Sequence, residues 1–175
     1  PSQAVQTTAS GLVLMPGAQR PEDFTDPQEI KNLFTVLAGC YDYVLVDSPP
    51  GIGRGFSLAL SGADNALVVV TPDEVCLRDA YEVGRHLRSL EVQNVRLVIN
   101  RFLPTLIWSG AIPDVDHMID RTGIRLLGIV PEDGTISLSA ANGAPPHKGR
   151  AKMAFQRIAA RIDGEAVPLP NLKRL

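Results

Sequence analysis

The sequence predicts an α/β fold, a mostly parallel sheet with helices on both faces. Apolar runs of four or five residues alternate with amphipathic helical patterns, the rhythm of βαβ units. One run, Ala66-Leu67-Val68-Val69-Val70, is continuously apolar and rich in β-branched residues, which suits a strand buried on both faces. Aromatic residues make up only 5% of the chain, while Val, Leu, Ile and Ala abound. That composition fits strands covered by helices.

Each element follows from local chemistry. Leu12 to Met15 is a first strand, closed by the turn pair Pro16-Gly17. Asp26 can cap the next helix, Pro27 suits its first position and Glu29 completes a capping-box-like pattern. Ile30, Leu33, Phe34 and Leu37 give that helix its apolar face, and Gly39 stops it. Tyr43 to Val46 is the second strand, ending at Asp47 and a Pro/Gly loop, and a short helix spans Phe56 to Leu60. Thr71-Pro72 breaks the Ala66–Val70 run. A helix from about Glu74 to Leu90 follows, with Cys76, Ala80, Val83, Leu87 and Leu90 as its buried stripe and Arg78, Glu82, Arg85 and Arg88 mostly outside it.

Val95 to Ile99 is the fourth strand and ends at Asn100-Arg101; Phe102 to Pro113 reads as irregular. A short helix near Asp114 to Arg121 leads to the fifth strand, Leu126 to Val130, and a Pro-led loop, Pro131-Glu132-Asp133-Gly134. The last helix, Gly149 to Ile162, gathers Ala151, Ala154, Phe155, Ile158, Ala159 and Ile162 on one face, and residues 165–175 form an extended tail. In parallel sheets ligands sit outside the carboxyl ends of the strands. The loops after Val46, Ile99 and Val130 therefore share one rim.

Composition bounds the function. The 175 residues, 45% apolar and 21% charged, suit a single α/β domain spanning 1–175 and exclude disorder and collagen. A chain of this length buries roughly 70% of its unfolded surface and needs no staple. A net charge of −2 gives no global field toward nucleic acid or membrane. Cys40 and Cys76 have no metal or redox spacing and read as small core filler in a reducing compartment. His86, His117 and His147 have no partners at ligand spacing, and the chain shows no nucleophilic triad. No apolar run approaches a membrane span, and Pro1-Ser2-Gln3-Ala4 is no signal sequence.

Asp47 puts a carboxylate at the end of an apolar strand, where nucleotide-hydrolysing α/β proteins hold Mg²⁺; its plainer role is to bond its own loop. Gly51-Ile52-Gly53-Arg54-Gly55 lets backbone N–H groups approach an anion, although such glycines also make ordinary turns. Asn100-Arg101 offers an amide and a flat cation that can read a purine, or a turn beside a surface Arg. Glu132-Asp133 is an acid pair or, with Gly134 behind it, a helix N-terminus.

The segment Tyr41-Asp42-Tyr43-Val44-Leu45-Val46-Asp47-Ser48-Pro49-Pro50-Gly51-Ile52 resembles the switch II region of the MinD/ParA family of deviant Walker ATPases. The likeness continues through Ala63-Asp64-Asn65-Ala66, Val69 to Glu74, Leu77-Arg78-Asp79-Ala80, Leu97 to Arg101 and Leu127 to Asp133, over most of residues 11 to 165. Order and spacing of separate motifs make it specific, and the septum-placing branch resembles the chain most. The resemblance implies a P-loop NTPase-like fold, ATP and Mg²⁺ as ligands, and a protein that dimerises on ATP. Asp47 would stand near Mg²⁺ through water, and Gly51 would offer its N–H to the γ-phosphate. Asn100 and Arg101 would contact adenine, and Pro131, Glu132 and Asp133 would wrap the base. Arg78, Asp79 and Glu82 would meet division-site regulators of the MinC/MinE type.

The departures shape the expectation. No Gly-Lys-Ser/Thr phosphate loop occurs in the 175 residues, and the switch I aspartate region is missing. The expectation is a C-terminal portion of such an ATPase lacking its N-terminal strands, inactive alone. The intact protein would be cytoplasmic and peripheral to the inner membrane, through a segment beyond Leu175. Seven Lys/Arg from Lys148 onward, against Asp163 and Glu165, keep open a DNA-segregating or flagellum-placing relative that touches DNA. A non-catalytic partner-binding module is the other alternative.

Overall fold

The computed structural model describes residues 5–8, 10–17 and 26–172. Expectations for Pro1–Ala4 and the last three residues of the tail lie outside these. The chain forms two compact units, Pro1–Ala63 and Asp64–Leu175.

In the first unit β1 (Gln6–Thr7) and β2 (Val13–Leu14) pair antiparallel, with Gln6 opposite Leu14. The Thr8 N–H donates to Leu12 O at 2.8 Å, and Gly11 supplies the left-handed corner at φ 84°. The strand expected over Leu12–Met15 is thus two residues of a hairpin rather than part of the parallel sheet. Pro16, which has no N–H, cannot extend it. Helix α1 (Pro27–Ala38) starts where its chemistry says, with the Asp26 carboxylate accepting from the Gln28 N–H at 2.8 Å, and Gly39 caps its end. Helix α2 (Arg54–Leu60) buries Phe56 and Leu58.

The expected strand at Tyr43–Val46 does not form: these residues join no sheet among the described ones, and Leu45 is 81% exposed. β propensity becomes structure only with a ladder partner and a covered face, and this run has neither. Cys40 is also exposed rather than core filler.

The second unit is built on β3 (Asn65–Val70), β4 (Asn94–Phe102) and β5 (Leu126–Pro131), all parallel, with β4 central. β4 buries Leu97, Val98 and Ile99 in succession, as a strand covered on both faces must. β3 is an edge strand and alternates instead: Val68 and Val70 are buried while Val69 is 57% exposed. Its expected burial on both faces is therefore wrong on one.

Helix α3 (Glu74–Ser89) packs on β3 and on α5 (Val115–Thr122). Its buried stripe runs through Leu77, Ala80, Gly84 and Leu87, one step round from the expected one; Cys76 and Val83 are half-buried and Leu90 is exposed. Gly84 sits there because a Cβ would approach Ile124 Cδ1 to 3.0 Å. Leu77 and Leu87 are fully buried, worth about 1.5–3 kcal/mol each. Glu74 joins the two helices at the surface, reaching His117 Nε2 at 3.4 Å and Arg121 Nε at 3.7 Å.

Helix α7 (Gly149–Ile162) packs on β5, and Val98, Leu127, Val130, Ala154 and Ile158 form one core cluster. Phe155, Ala159 and Ile162, expected on that face, are exposed. Gly128 of β5 lies directly under Ile158, whose Cγ1 a Cβ would overlap. Two helices escape the sequence reading: α4 (Pro104–Trp108) within the expected irregular stretch, and α6 (Gly134–Ala141) after the Pro-led loop.

Candidate functional site

The carboxyl ends of β3, β4 and β5 lie on one rim, as parallel pairing dictates. At β3 Asp73 caps α3, its oxygens accepting from the Thr71 hydroxyl at 2.6 Å and the Cys76 N–H at 2.9 Å. Chiefly through the Thr71 bond, its carboxyl is held below the usual range.

β4 does not stop at Ile99 but runs on through Asn100-Arg101 to Phe102. Ile99 pairs with Ile129 and Phe102 with Pro131, so Asn100 and Arg101 together face the single residue Val130. This is a β-bulge, and Arg101 carries it at φ 55°, a conformation uncommon for a residue with a side chain. Bulges re-aim side chains, and this one brings Arg101 Nε to 2.7 Å from Glu132 Oε2. Their hydrogen bond pushes the guanidinium pKa further up. The pair is exposed, so it orients more than it stabilises. The Glu132 N–H also donates to Phe102 O at 3.0 Å, tying the β5 exit to the β4 exit.

Asp133 joins three segments. Oδ1 accepts from the Thr135 N–H at 2.9 Å, capping α6, and Oδ2 accepts from the Ala151 N–H at 3.1 Å in the first turn of α7. These bonds, Thr135's first, lower its pKa to about 2. Gly149 (φ 88°) makes the approach possible: a Cβ there would lie 2.7 Å from Asp133 Oδ2. The helix-N-terminus reading of Glu132-Asp133-Gly134 is the one the fold adopts.

Between these exits is a notch of about 170 Å³ lined by Phe102, Leu103, Pro104, Thr105, Trp108, Pro131, Glu132 and Arg150. The second unit thus brings Arg101, Pro131, Glu132 and Asp133 together, with Asn100 beside Arg101 on the bulge. Asp47 and Gly51 belong to the first unit. Asp47 is exposed in an irregular segment, not at the end of a buried strand, and Gly51 holds φ 83° in the loop before α2. On α3 the side chains of Arg78 and Asp79 are 64% and 65% exposed and pair at 3.3 Å, with Glu82 and Arg85 pairing at 3.2 Å.

Sequence reasoning missed Gly149, Arg150 and Trp108. Trp108 had a signal, being the only Trp in an otherwise irregular stretch; Gly149 had none, since a glycine before a helix is ordinary. No cluster of three metal-ligand-type side chains lies among the described residues. No helix among them is long and apolar enough to cross a membrane.

Known proteins resemble this chain in sequence and fold. No protein-family model matches it. The septum site-determining protein MinD of Bacillus subtilis is 40% identical over 167 residues, covering 93% of this chain. The chain spans 62% of that relative's length. The solved MinC:MinD cell division protein complex of Aquifex aeolicus matches with a TM-score of 0.88 and 32% identity, over 97% of this chain and 70% of that one. MinD of Pyrococcus horikoshii, solved with Mg-ADP, matches with a TM-score of 0.79 and 25% identity, over 93% of this chain and 68% of that one.

Proposed function

The chain belongs to the MinD family of septum site-determining proteins, and from that premise we propose that it is the base-binding and partner-facing portion of an ATPase that places the division septum. The intact protein binds ATP with Mg²⁺, dimerises on it and acts at the inner membrane surface. The observation that carries this is the β4 bulge, which sets Arg101 against Glu132 on the wall of the 170 Å³ notch. That volume is below the ~300 Å³ of a complete small-molecule pocket and suits one flat base.

Each residue has a part. Arg101 occupies one Glu132 oxygen, leaving the other to accept from an exocyclic amine, the group that distinguishes adenine from hypoxanthine. Asn100, on the same bulge, offers an amide to the base edge. Pro131, fully buried, backs the notch from beneath. Asp133 serves the site by holding the loop and the start of α7 in register. From the family motif alone, Asp47 would assist Mg²⁺ through water and Gly51 would offer its N–H to the γ-phosphate. The bound nucleotide supplies the phosphoanhydride whose hydrolysis resets the dimer. Its phosphates need a lysine-bearing cradle, and no Gly-Lys-Ser/Thr sequence occurs in the 175 residues. Arg78, Asp79 and Glu82 face regulators of the MinC and MinE type, support for which comes from the MinC-bound relative.

The test uses the protein expressed from its complete reading frame. Glu132→Gln can donate to a keto oxygen as well as accept, so the preference for ATP over ITP should fall by at least about fivefold, the worth of one hydrogen bond. No ATP binding by the wild type, or an unchanged preference in the variant, would refute the base assignment.

A further inference from the structure

We propose that Trp108 is the platform on which the nucleotide base stacks. This rests on the reading of the notch as the base site and adds to it the group that supplies its affinity.

Trp108 ends α4, the five-residue helix that the Leu103-Pro104 turn starts immediately after the bulged strand. It lines the notch, and it remains 60% exposed, the only Trp of the chain and the largest apolar side chain left open beside the site. An indole in that position normally buries its ring, because aromatic area is costly to leave in water. The end of α4 is fixed by bonds to the turn that follows it. The Leu106 and Ile107 carbonyls accept from Ala111 and Gly110 N–H groups, each at 2.9 Å, and the Ser109 hydroxyl donates to Leu106 O at 3.0 Å. The helix end is therefore closed by its own bonds, with the ring at the notch.

The rest of the lining says what the ring meets. Pro104 is the half-buried apolar side of the notch, and Phe102 and Pro131, both fully buried, are its floor. Polar recognition comes only from the edge: Glu132, held by Arg101, with Thr105 and Arg150. An exposed indole beside a polar edge is the complement of a purine, whose faces are π surface and whose edge carries donors and acceptors. A Pro-rich peptide would also like an aromatic wall, but it needs a row of grooves, and the notch has room for a single ring system.

Stacking tolerates any base because each presents a π face. Trp108 should therefore supply affinity while Glu132 supplies selectivity, and the two separate experimentally. In the protein from its complete reading frame, Trp108→Ala should weaken ATP and ITP alike by about tenfold or more, and Trp108→Phe should recover most of it. Tripolyphosphate, which has no base, should bind wild type and Trp108→Ala equally, which distinguishes lost stacking from a damaged fold. Adenosine nucleotide should also quench the part of the fluorescence that disappears in Trp108→Phe. If wild type binds ATP and Trp108→Ala binds it as tightly, the stacking proposal fails while the ATP-binding reading stands. If Trp108→Ala loses tripolyphosphate in proportion to ATP, Trp108 is structural and the proposal fails too. If wild type binds tripolyphosphate but prefers it to ATP, the notch takes no base and both readings fall.

Discussion

Asp133 shows how one residue is placed by several constraints at once. Its carboxylate accepts from backbone N–H groups at the starts of two helices, Thr135 of α6 and Ala151 of α7, and bare backbone at Gly149 lets it approach. Those bonds favour the ionised form, which fixes the sign of the pH effect. A folded-state pKa of about 2, below the ~3.9 of a free Asp, means the contribution to stability is complete above about pH 4 and is lost as pH falls toward 2. Asp73 acts in the same direction through Thr71. Asp133→Asn should flatten the acid limb of the stability curve between pH 4 and 2, read as the urea midpoint against pH. An acid limb identical to wild type would show that the two N–H bonds do not hold in solution. At this scale the sequence spoke partly. Asp133 before Gly134 was legible as a cap, but its second partner lies 18 residues on, and no local pattern carries that.

Elements were legible where one face is buried against another element. α3, α5, β5 and α7 fall where period and caps put them, because apolar spacing and capping chemistry act within a few residues. α6 was not, since Gly-Thr-Ile-Ser-Leu-Ser-Ala-Ala has no apolar stripe and its helix depends on Asp133 and on packing against α7. Tyr43–Val46 erred the other way, a strand pattern without a partner. The bulge at Asn100-Arg101 was invisible because it comes from register between strands. The α3 stripe was off by one position, yet its outer face was legible: Arg78 and Asp79 stand clear of the core. Asp79→Ala should therefore weaken binding of a MinC-type regulator several-fold while changing stability by no more than ~0.5 kcal/mol. Titration calorimetry with the regulator and a denaturant midpoint read the two separately. A loss of several kcal/mol in stability would make Asp79 structural.

For the molecule as a whole, catalysis should require more chain than these 175 residues. Phosphoryl transfer depends on positioned positive charge, and the 175 residues hold no Gly-Lys-Ser/Thr phosphate-loop sequence. Residues 1–175 alone should show no ATP turnover above a buffer blank, while the protein from the complete reading frame turns over; turnover by the short chain, free of contaminants, would overturn this. The α/β class and the shared rim of the β4 and β5 exits were readable because parallel topology sends every strand exit to one side; the loop after Val46, expected on that rim, follows no strand and belongs to the other unit. Of the notch lining, Pro131 and Glu132 stood out as a motif; the residues from α4 and the start of α7 did not. One feature at the far end of the chain bears on mechanics. Arg161 donates from Nε and Nη2 to Val167 O, at 2.9 and 2.8 Å, and from Nη1 to Leu127 O on β5. A pull on residues 168–172 would thus meet a guanidinium fork anchored in the sheet before it could peel the last turn of α7. Load arriving along the tail is delivered to β5, the strand whose exit carries Glu132.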